Sequence, residues 1–122
     1  MTRAEEVAAM SDEELGAALA KALGWKVFDD FSAEQDNGMT WGHGDLCTMG
    51  DGMLAVIRAL GEKDFCCVKL GADHAYCYDA IVMLDKEHTA NILVTNESAP
   101  RAVAEAALLA LERTTGEKGE KP

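Results

Sequence analysis

The sequence is poor in basic residues. It has 11 Lys and Arg against 22 Asp and Glu, which gives a formal net charge of −11 and a sequence pI near 4.5. Binding of DNA or RNA begins with basic side chains that neutralise phosphates, so this composition argues against direct contact with nucleic acid. Two interpretations of the charge stay open: it confers solubility alone, or it attracts a basic partner.

Long apolar runs are also missing. No stretch approaches the roughly 20 apolar residues that a membrane-spanning helix needs, and the chain does not open with the pattern of a secretory signal. We therefore expect a soluble cytoplasmic protein that does not contact membranes. In that compartment its cysteines are expected to be reduced thiols. With 122 residues, 48% of them hydrophobic, the chain predicts a single domain over 1–113 and a flexible C-terminal tail over 114–122.

Helix signals lie near both ends of the chain. Ser11 and Glu14 have capping-box spacing, and leucines then recur at helical spacing up to Gly24, where a left-handed residue can end a helix. Ser98 precedes a final predicted helix over 99–113, with proline in its first turn. The capping-box spacing also occurs at Thr2 with Glu5, and at Thr48 with Asp51 ahead of a helix ending at Gly61.

The stretch 29–52 differs from its surroundings. It contains six acidic residues, five glycines and no Lys or Arg. We predict a long loop here, with a short element around Met39–Trp41. Loops of this length are uncommon in compact domains and tend to be functional or mobile.

Three strand-like segments follow, over 65–70, 76–84 and 91–95. Their short polar separators predict an antiparallel meander, and the apolar character of both faces of the middle strand predicts that both are at least partly covered. The predicted order is helix, long loop, helix, meander, helix. The fold class is therefore α+β, an α/β/α-type layered sandwich with a three-stranded antiparallel meander and about three helices.

The pattern Leu15-x3-Leu19-x3-Leu23-Gly24-Trp25 resembles the opening of the phage ABA sandwich domain family, small proteins of tailed bacteriophages and prophages. The helix headed by Thr48, the meander and the alanine-rich segment after Ser98-Ala-Pro-Arg are similar to the rest of the family pattern. The resemblance covers nearly all of 4–113, although the cysteines and the glycine-rich segment around His43 depart from it. It implies a phage or prophage origin, the cytosol of a bacterial host, and a small accessory protein that acts by binding. The family supplies no catalytic residues to carry over.

Candidate ligand- or partner-binding residues concentrate in the segment 41–52. Glycines around Trp41, His43, Asp45 and Asp51 let the backbone approach a ligand closely. The glycine spacing matches neither a dinucleotide fingerprint nor a P-loop, and the aspartates would repel a bare phosphate. A phosphate would therefore need a basic residue from elsewhere, of which the candidates are Arg58, Lys63 and Arg101. The alternative is an acidic loop that binds nothing.

Asp79 is the fifth candidate, because it is a charge inside an otherwise apolar strand. A carboxylate facing a buried layer must be paired or hydrogen-bonded. In a cleft it would be a site residue, whereas on an edge strand it would protect the sheet against pairing with another chain. The edge interpretation is the one we favour.

The sequence contains enough His and Cys residues to supply the ligands of a tetrahedral zinc site, in His43-x3-Cys47, Cys66-Cys67 and His74-x2-Cys77. However, adjacent strand residues point to opposite faces, and buried cysteine is also a common core residue. A Cys–His nucleophile at these spacings would need a helix, but the segments are predicted to be loop and strand. We therefore assign no catalytic residue, metal or cofactor, and expect a protein that is not an enzyme.

The leading hypothesis is a phage accessory protein that acts in counter-defence, as a homo-oligomer. It would bind a small nucleotide-like signalling ligand or a host defence component, through the 36–52 segment and an exposed sheet face. Two alternatives remain: an acidic protein that imitates nucleic acid and inhibits a basic host effector, and a small zinc-binding domain.

Overall fold

Capping residues start the first two helices where the sequence predicts them. The computed structural model describes residues 2–28, 32–35, 38–62, 67–74, 77–83 and 91–120. Helix α1 (Arg3–Ala9) begins at the capping box of Thr2 and Glu5, and helix α2 (Asp12–Ala22) at that of Ser11 and Glu14. Gly24 follows α2 with φ +83°, the left-handed conformation predicted for it.

The stretch predicted as a long loop contains a small sheet and a short helix. Strands β1 (Lys26–Val27), β2 (Ser32–Glu34) and β3 (Thr40–Gly42) pair antiparallel in that order, and helix α3 (Asp45–Thr48) follows. The loop prediction is therefore wrong for much of this stretch, although the short element expected at 39–41 is β3. Strands of two or three residues show little periodicity, so backbone pairing forms them where composition indicates a loop.

Helix α4 (Gly50–Glu62) does not begin at the capping box predicted for it. Thr48 is the last residue of α3, and its Oγ1 donates a hydrogen bond to the carbonyl oxygen of Gly44 at 3.0 Å. The hydroxyl is used within α3 because the chain is already helical there, so this prediction is wrong. One face of α4 is buried in the core, where Val56 and Leu60 are fully buried.

The predicted meander is confirmed. Strands β4 (Cys67–His74), β5 (Cys77–Met83) and β6 (Asn91–Asn96) pair antiparallel in the order β4-β5-β6. Asp79 therefore lies on the central strand, and the edge-strand interpretation is wrong. A meander necessarily places its middle strand between the other two.

The two faces of this sheet differ. On one face, Ala80 and Val82 are fully buried. On the opposite face, Ile81 pairs with Leu93, and 59% of Leu93 is exposed. The expectation that both faces of the middle strand are at least partly covered agrees with its half-buried Asp79 and Ile81, while the face of Leu93 is the more open one because helix α5 packs against the Ala80 face.

Helix α5 (Ala99–Glu120) is the centre of the fold. It packs on β5 and β6 on one side, and on the other helices elsewhere. Residues 101–108 are buried all round, and their many alanines let the surrounding elements approach closely. The Ser98 hydroxyl accepts a hydrogen bond from the Arg101 amide at 3.4 Å, as expected of a cap. The helix continues past its predicted end at residue 113 as far as Glu120, since extending an established helix is easier than starting one.

The α+β layered class is thus confirmed. Helices α1–α4 form one layer and β4–β6 the other, with α5 between them. The described ranges contain five helices, not about three, and a second three-stranded sheet. None of the helices in these ranges is long and apolar enough to cross a membrane.

Candidate functional site

A cleft lies between the β2–β3 hairpin and helix α4. Its volume is about 710 Å³, within the range of about 300–1,000 Å³ that is usual for small-molecule sites. The lining residues are Gln35, Met39, Trp41, Asp51, Leu54, Ala55, Arg58, Gly61 and Glu62. The hairpin supplies the first three of them and α4 supplies the rest.

The helical period of α4 separates its core face from its cleft face. Val56 and Leu60 are four residues apart and point into the core. Asp51, Leu54 and Arg58 recur at intervals of three and four residues on another face, which lines the cleft. Burying the first face therefore leaves the second for contact with a ligand.

Trp41 is held in a defined orientation on the hairpin wall. Its indole Nε1 donates a hydrogen bond to Gln35 Oε1 at 2.7 Å. The hairpin turn is closed by hydrogen bonds from the Gln35 amide to the Met39 carbonyl at 2.8 Å and from the Gly38 amide to the Gln35 carbonyl at 2.9 Å. Gly38 has φ +88°, which glycine adopts without strain. Since the indole N–H is already used, the π-face of Trp41 is the part of the ring suited to bind a ligand.

The rim of the cleft is apolar and partly open to solvent. The exposed fraction is 53% for Met39 and 51% for Leu54, on opposite walls. Large apolar side chains that converge on a concave surface are typical of a binding site. The polarizable thioether of Met39 also adapts to ligands of different shapes.

Three charged side chains also line the cleft. Arg58 lies seven residues after Asp51 and four before Glu62, which places it about 10 Å and about 6 Å from them along the helix axis. Within the described ranges Arg58 has no ion-pair partner. An exposed guanidinium without a partner is suited to bind a carboxylate or a phosphate.

Of the five residues predicted for the site, the structure places Trp41 and Asp51 in the cleft. His43 is 5% exposed, and its Nε2 lies 2.8 Å from the Ser32 carbonyl oxygen, a contact that ties the turn after β3 to β2. Asp45 is the first residue of α3 and does not line the cleft. Asp79 lies on the larger sheet, where its Oδ1 accepts a hydrogen bond from Thr95 Oγ1 at 2.7 Å across the strand pair.

The remaining lining residues were not among the five predicted. Sequence reasoning named Arg58 as a candidate phosphate partner but did not assign it to the site. The helical spacing of the cleft face of α4 is the signal that could have assigned Arg58 to the site. The residues on that face, opposite the core, are Asp51, Leu54, Arg58 and Glu62. The contributions of Gln35 and Met39 depend on the hairpin, which the sequence did not predict.

Arg101, a second candidate for phosphate binding, has a structural role. It is 9% exposed and forms ion pairs with Glu105 at 2.6 Å and Asp12 at 2.9 Å. It also donates hydrogen bonds to main-chain carbonyls at the end of α1, including that of Met10 at 2.8 Å. Arg101 therefore joins α1, α2 and α5. Lys63, the third candidate, lies outside the described residues.

Cys47 is also structural. It is fully buried, its Sγ donates to the Asp12 carbonyl oxygen at 3.4 Å, and burial raises the pKa of its thiol to about 12. Such a thiol is a poor nucleophile and a poor metal ligand near neutral pH. No cluster of three or more His, Cys, Asp or Glu side chains suited to a metal occurs in the part of the chain that the structure describes. Cys66 and the side chains of Cys67, His74 and Cys77 lie outside that part.

Comparison with known proteins shows similarity in fold. No protein-family model and no curated protein matches the chain. A 2.0 Å crystal structure of a phage protein from Bacillus cereus ATCC 14579 is similar, with a TM-score of 0.63 and 21% sequence identity over 84% of this chain and 93% of that one. At this identity the two proteins share a fold, and nothing about activity follows from it. The resemblance to the phage ABA sandwich domain family therefore rests on the sequence pattern alone.

Proposed function

We propose that this chain is a phage or prophage accessory protein of the host cytosol, and that it binds a small nucleotide-like ligand in the cleft without catalysing a reaction. Sequestering a signalling nucleotide in this way would serve counter-defence. Support for the phage origin comes from the sequence resemblance and from the fold shared with the Bacillus cereus phage protein. Support for the ligand comes from the chemistry of the cleft.

The observation that carries the proposal is the placement of Trp41 and Arg58 in one cleft, on facing elements. A nucleobase stacked on Trp41 gains about 1–3 kcal/mol, whichever base it is. The guanidinium of Arg58 can hydrogen-bond a phosphate in bidentate fashion. Asp51 and Glu62 can accept hydrogen bonds from ribose hydroxyls or base amino groups. Together these groups match the three parts of a nucleotide.

The proposal can be tested by titrating the protein with 3′,5′-cyclic AMP while following tryptophan fluorescence and, independently, heat release. Trp41 lines the cleft, whereas Trp25 is 9% exposed in the core, so stacking should quench the Trp41 emission. Trp41→Phe should remove the fluorescence change, and Leu54→Gln should weaken binding measured by calorimetry. Leu93→Thr is the matched control, because it also removes a leucine that is more than half exposed, but from the sheet face.

Loss of binding in Leu54→Gln, with Leu93→Thr unaffected, would support the cleft as the site. The reverse pattern would place the site on the sheet face and refute the proposal. Absence of binding to cyclic AMP, AMP, ADP-ribose and adenosine alike would refute the ligand class. Native mass spectrometry of the purified protein would report any retained nucleotide, and would test the predicted homo-oligomer in the same measurement.

The second candidate function is inhibition of a basic host protein by nucleic-acid mimicry. The acidic first turns of α1 and α2 favour it, with Glu5 and Glu6 in one and Asp12, Glu13 and Glu14 in the other. Its test is calorimetry against a basic bacterial nucleoid protein at low and high salt. Mimicry predicts an affinity that falls steeply as salt rises, whereas a nucleotide held in the cleft by stacking and a single ion pair with Arg58 should lose much less affinity.

A further inference from the structure

The cleft places one cation between two anions on a single helix face. Arg58 carries the positive charge, and Asp51 and Glu62 carry the negative charges on either side of it. We infer that the cleft selects nucleotide-like ligands with a single negative charge, such as cyclic phosphodiesters, and discriminates against polyphosphates. The inference rests on the proposed function, since it specifies which nucleotides that site accepts.

The spacing of the charges supports this selectivity. A phosphodiester bound to Arg58 would have its one charge neutralised at contact distance. The axial separations of about 6 Å to Glu62 and about 10 Å to Asp51 are comparable with the Debye length of about 8 Å at physiological salt. Every additional phosphate would therefore lie within the repulsive field of at least one carboxylate, and the lining residues that the structure describes include no second cation to compensate.

The apolar lining of the cleft also favours ligands of low charge. Met39, Leu54 and Ala55 lie between or opposite the charges, so a ligand that fills the cleft gives up part of its hydration. A singly charged ligand loses less hydration free energy there than a polyphosphate does. A stacked base with one phosphodiester therefore suits both the apolar and the charged groups of the cleft.

The experiment is calorimetric titration with singly charged cyclic AMP, doubly charged AMP and ATP, in magnesium-free buffer, with adenosine as the uncharged reference. We expect cyclic AMP to bind about tenfold more tightly than ATP. Asp51→Asn combined with Glu62→Gln should reduce that preference about five- to tenfold, mainly by tightening the binding of ATP. Arg58→Gln should weaken cyclic AMP binding at least about tenfold and leave adenosine binding nearly unchanged.

The matched control is Glu13→Gln combined with Glu97→Gln, which removes two charges from exposed residues outside the cleft. It should leave the ratio of cyclic AMP to ATP affinity unchanged. An equal change in both double variants would show that the net charge of the protein, and not the cleft, sets the preference, which would overturn the inference.

The failure of this inference can be told apart from failure of the proposed function. If ATP binds wild-type protein as tightly as cyclic AMP does, the charge selectivity is wrong while nucleotide binding stands. If no member of the series binds, including adenosine, the proposed function itself fails. Circular dichroism of each variant establishes that a change in affinity does not reflect unfolding.

Discussion

Gly16 is the point at which helix α2 touches the turn between β3 and α3. A methyl group added at Gly16 would overlap the carbonyl oxygen of His43 and lie 2.5 Å from its carbonyl carbon. Both are backbone atoms of a buried residue, so no side chain can rotate to make room. Alanine normally stabilises a helix by about 1 kcal/mol relative to glycine, but at this position we expect the opposite sign.

The loss of stability expected for Gly16→Ala follows from this overlap. Separating α2 from the turn would pull the neighbouring core residues Leu15 and Leu19, both fully buried, out of contact. Overpacking of this kind typically costs about 1–3 kcal/mol, and the rigidity of the obstructing backbone favours the upper end or beyond. After subtraction of the helix preference of alanine, Gly16→Ala should destabilise the protein by about 2 kcal/mol or more. The melting temperature should fall by roughly 8 °C, at about 4 °C per kcal/mol for a domain of this size.

Urea denaturation and thermal melting of Gly16→Ala, followed by circular dichroism, measure the effect. Gly61→Ala is the control, because among the described residues a methyl group there would meet no heavy atom outside its own helix backbone within 4 Å, and it should stabilise the protein by up to about 1 kcal/mol. A Gly16→Ala protein as stable as the wild type would show that α2 and the His43 turn are not in close contact. The same contact positions Trp41, two residues before His43, so that result would also weaken the account of the cleft.

Three further predictions concern residues buried or capped in the fold. Arg101→Met should lower the free energy of unfolding, measured in urea, by about 3–5 kcal/mol, because it leaves the carboxylate of Glu105 buried without its ion-pair partner. Adding Glu105→Gln should recover part of that loss, and no recovery would contradict the ion-pair explanation. Burial raises the pKa of the Cys47 thiol to about 12, so iodoacetamide near pH 8 should alkylate Cys47 only in denaturant. Peptide mass spectrometry would map the labelled site, and labelling of Cys47 in the native protein would refute its burial. The backbone N–H of Ser11, and to a smaller extent its hydroxyl, lowers the pKa of Glu14, so the associated stability is present above the ordinary pKa of a glutamate and is lost as pH falls through the lowered value. Ser11→Ala removes the hydroxyl and keeps the N–H, so it should raise the Glu14 pKa only part of the way in an NMR titration and should destabilise the protein by about 1 kcal/mol in urea. Unchanged stability would show that the cap is not formed.

The parts of the fold that could be predicted are those governed by neighbouring residues. The capping boxes at Thr2 and Ser11, the left-handed Gly24 and the cap at Ser98 each depend on contacts within a few residues. The meander was predictable because successive strand-like segments joined by short polar separators have few other ways to pair. The predicted order of helices and strands also indicated an α+β chain, and its length and hydrophobic content indicated a single domain with a core.

The failures occurred where a residue has two possible uses. Thr48 has the spacing of a cap, but its hydroxyl bonds back within α3. His43 has the surroundings of a ligand-binding residue, but its ring is buried against the carbonyl of Ser32, eleven residues away. Arg101 could serve a phosphate, but it closes the end of α1, more than ninety residues away in sequence. Spacing along the chain does not show which of two uses the packing selects.

The sequence by itself determined where α1, α2 and α5 begin, which segments pair as a meander and how acidic the chain is, because these properties arise from local hydrogen bonds, hydrophobic periodicity and composition. Tertiary structure alone decided the cleft. The hairpin carrying Trp41 and the helix carrying Arg58 face each other because Val56, Leu60 and the His43 turn are buried in the common core. Burial of one face of an element determines what its other face meets, and that depends on every other element of the fold.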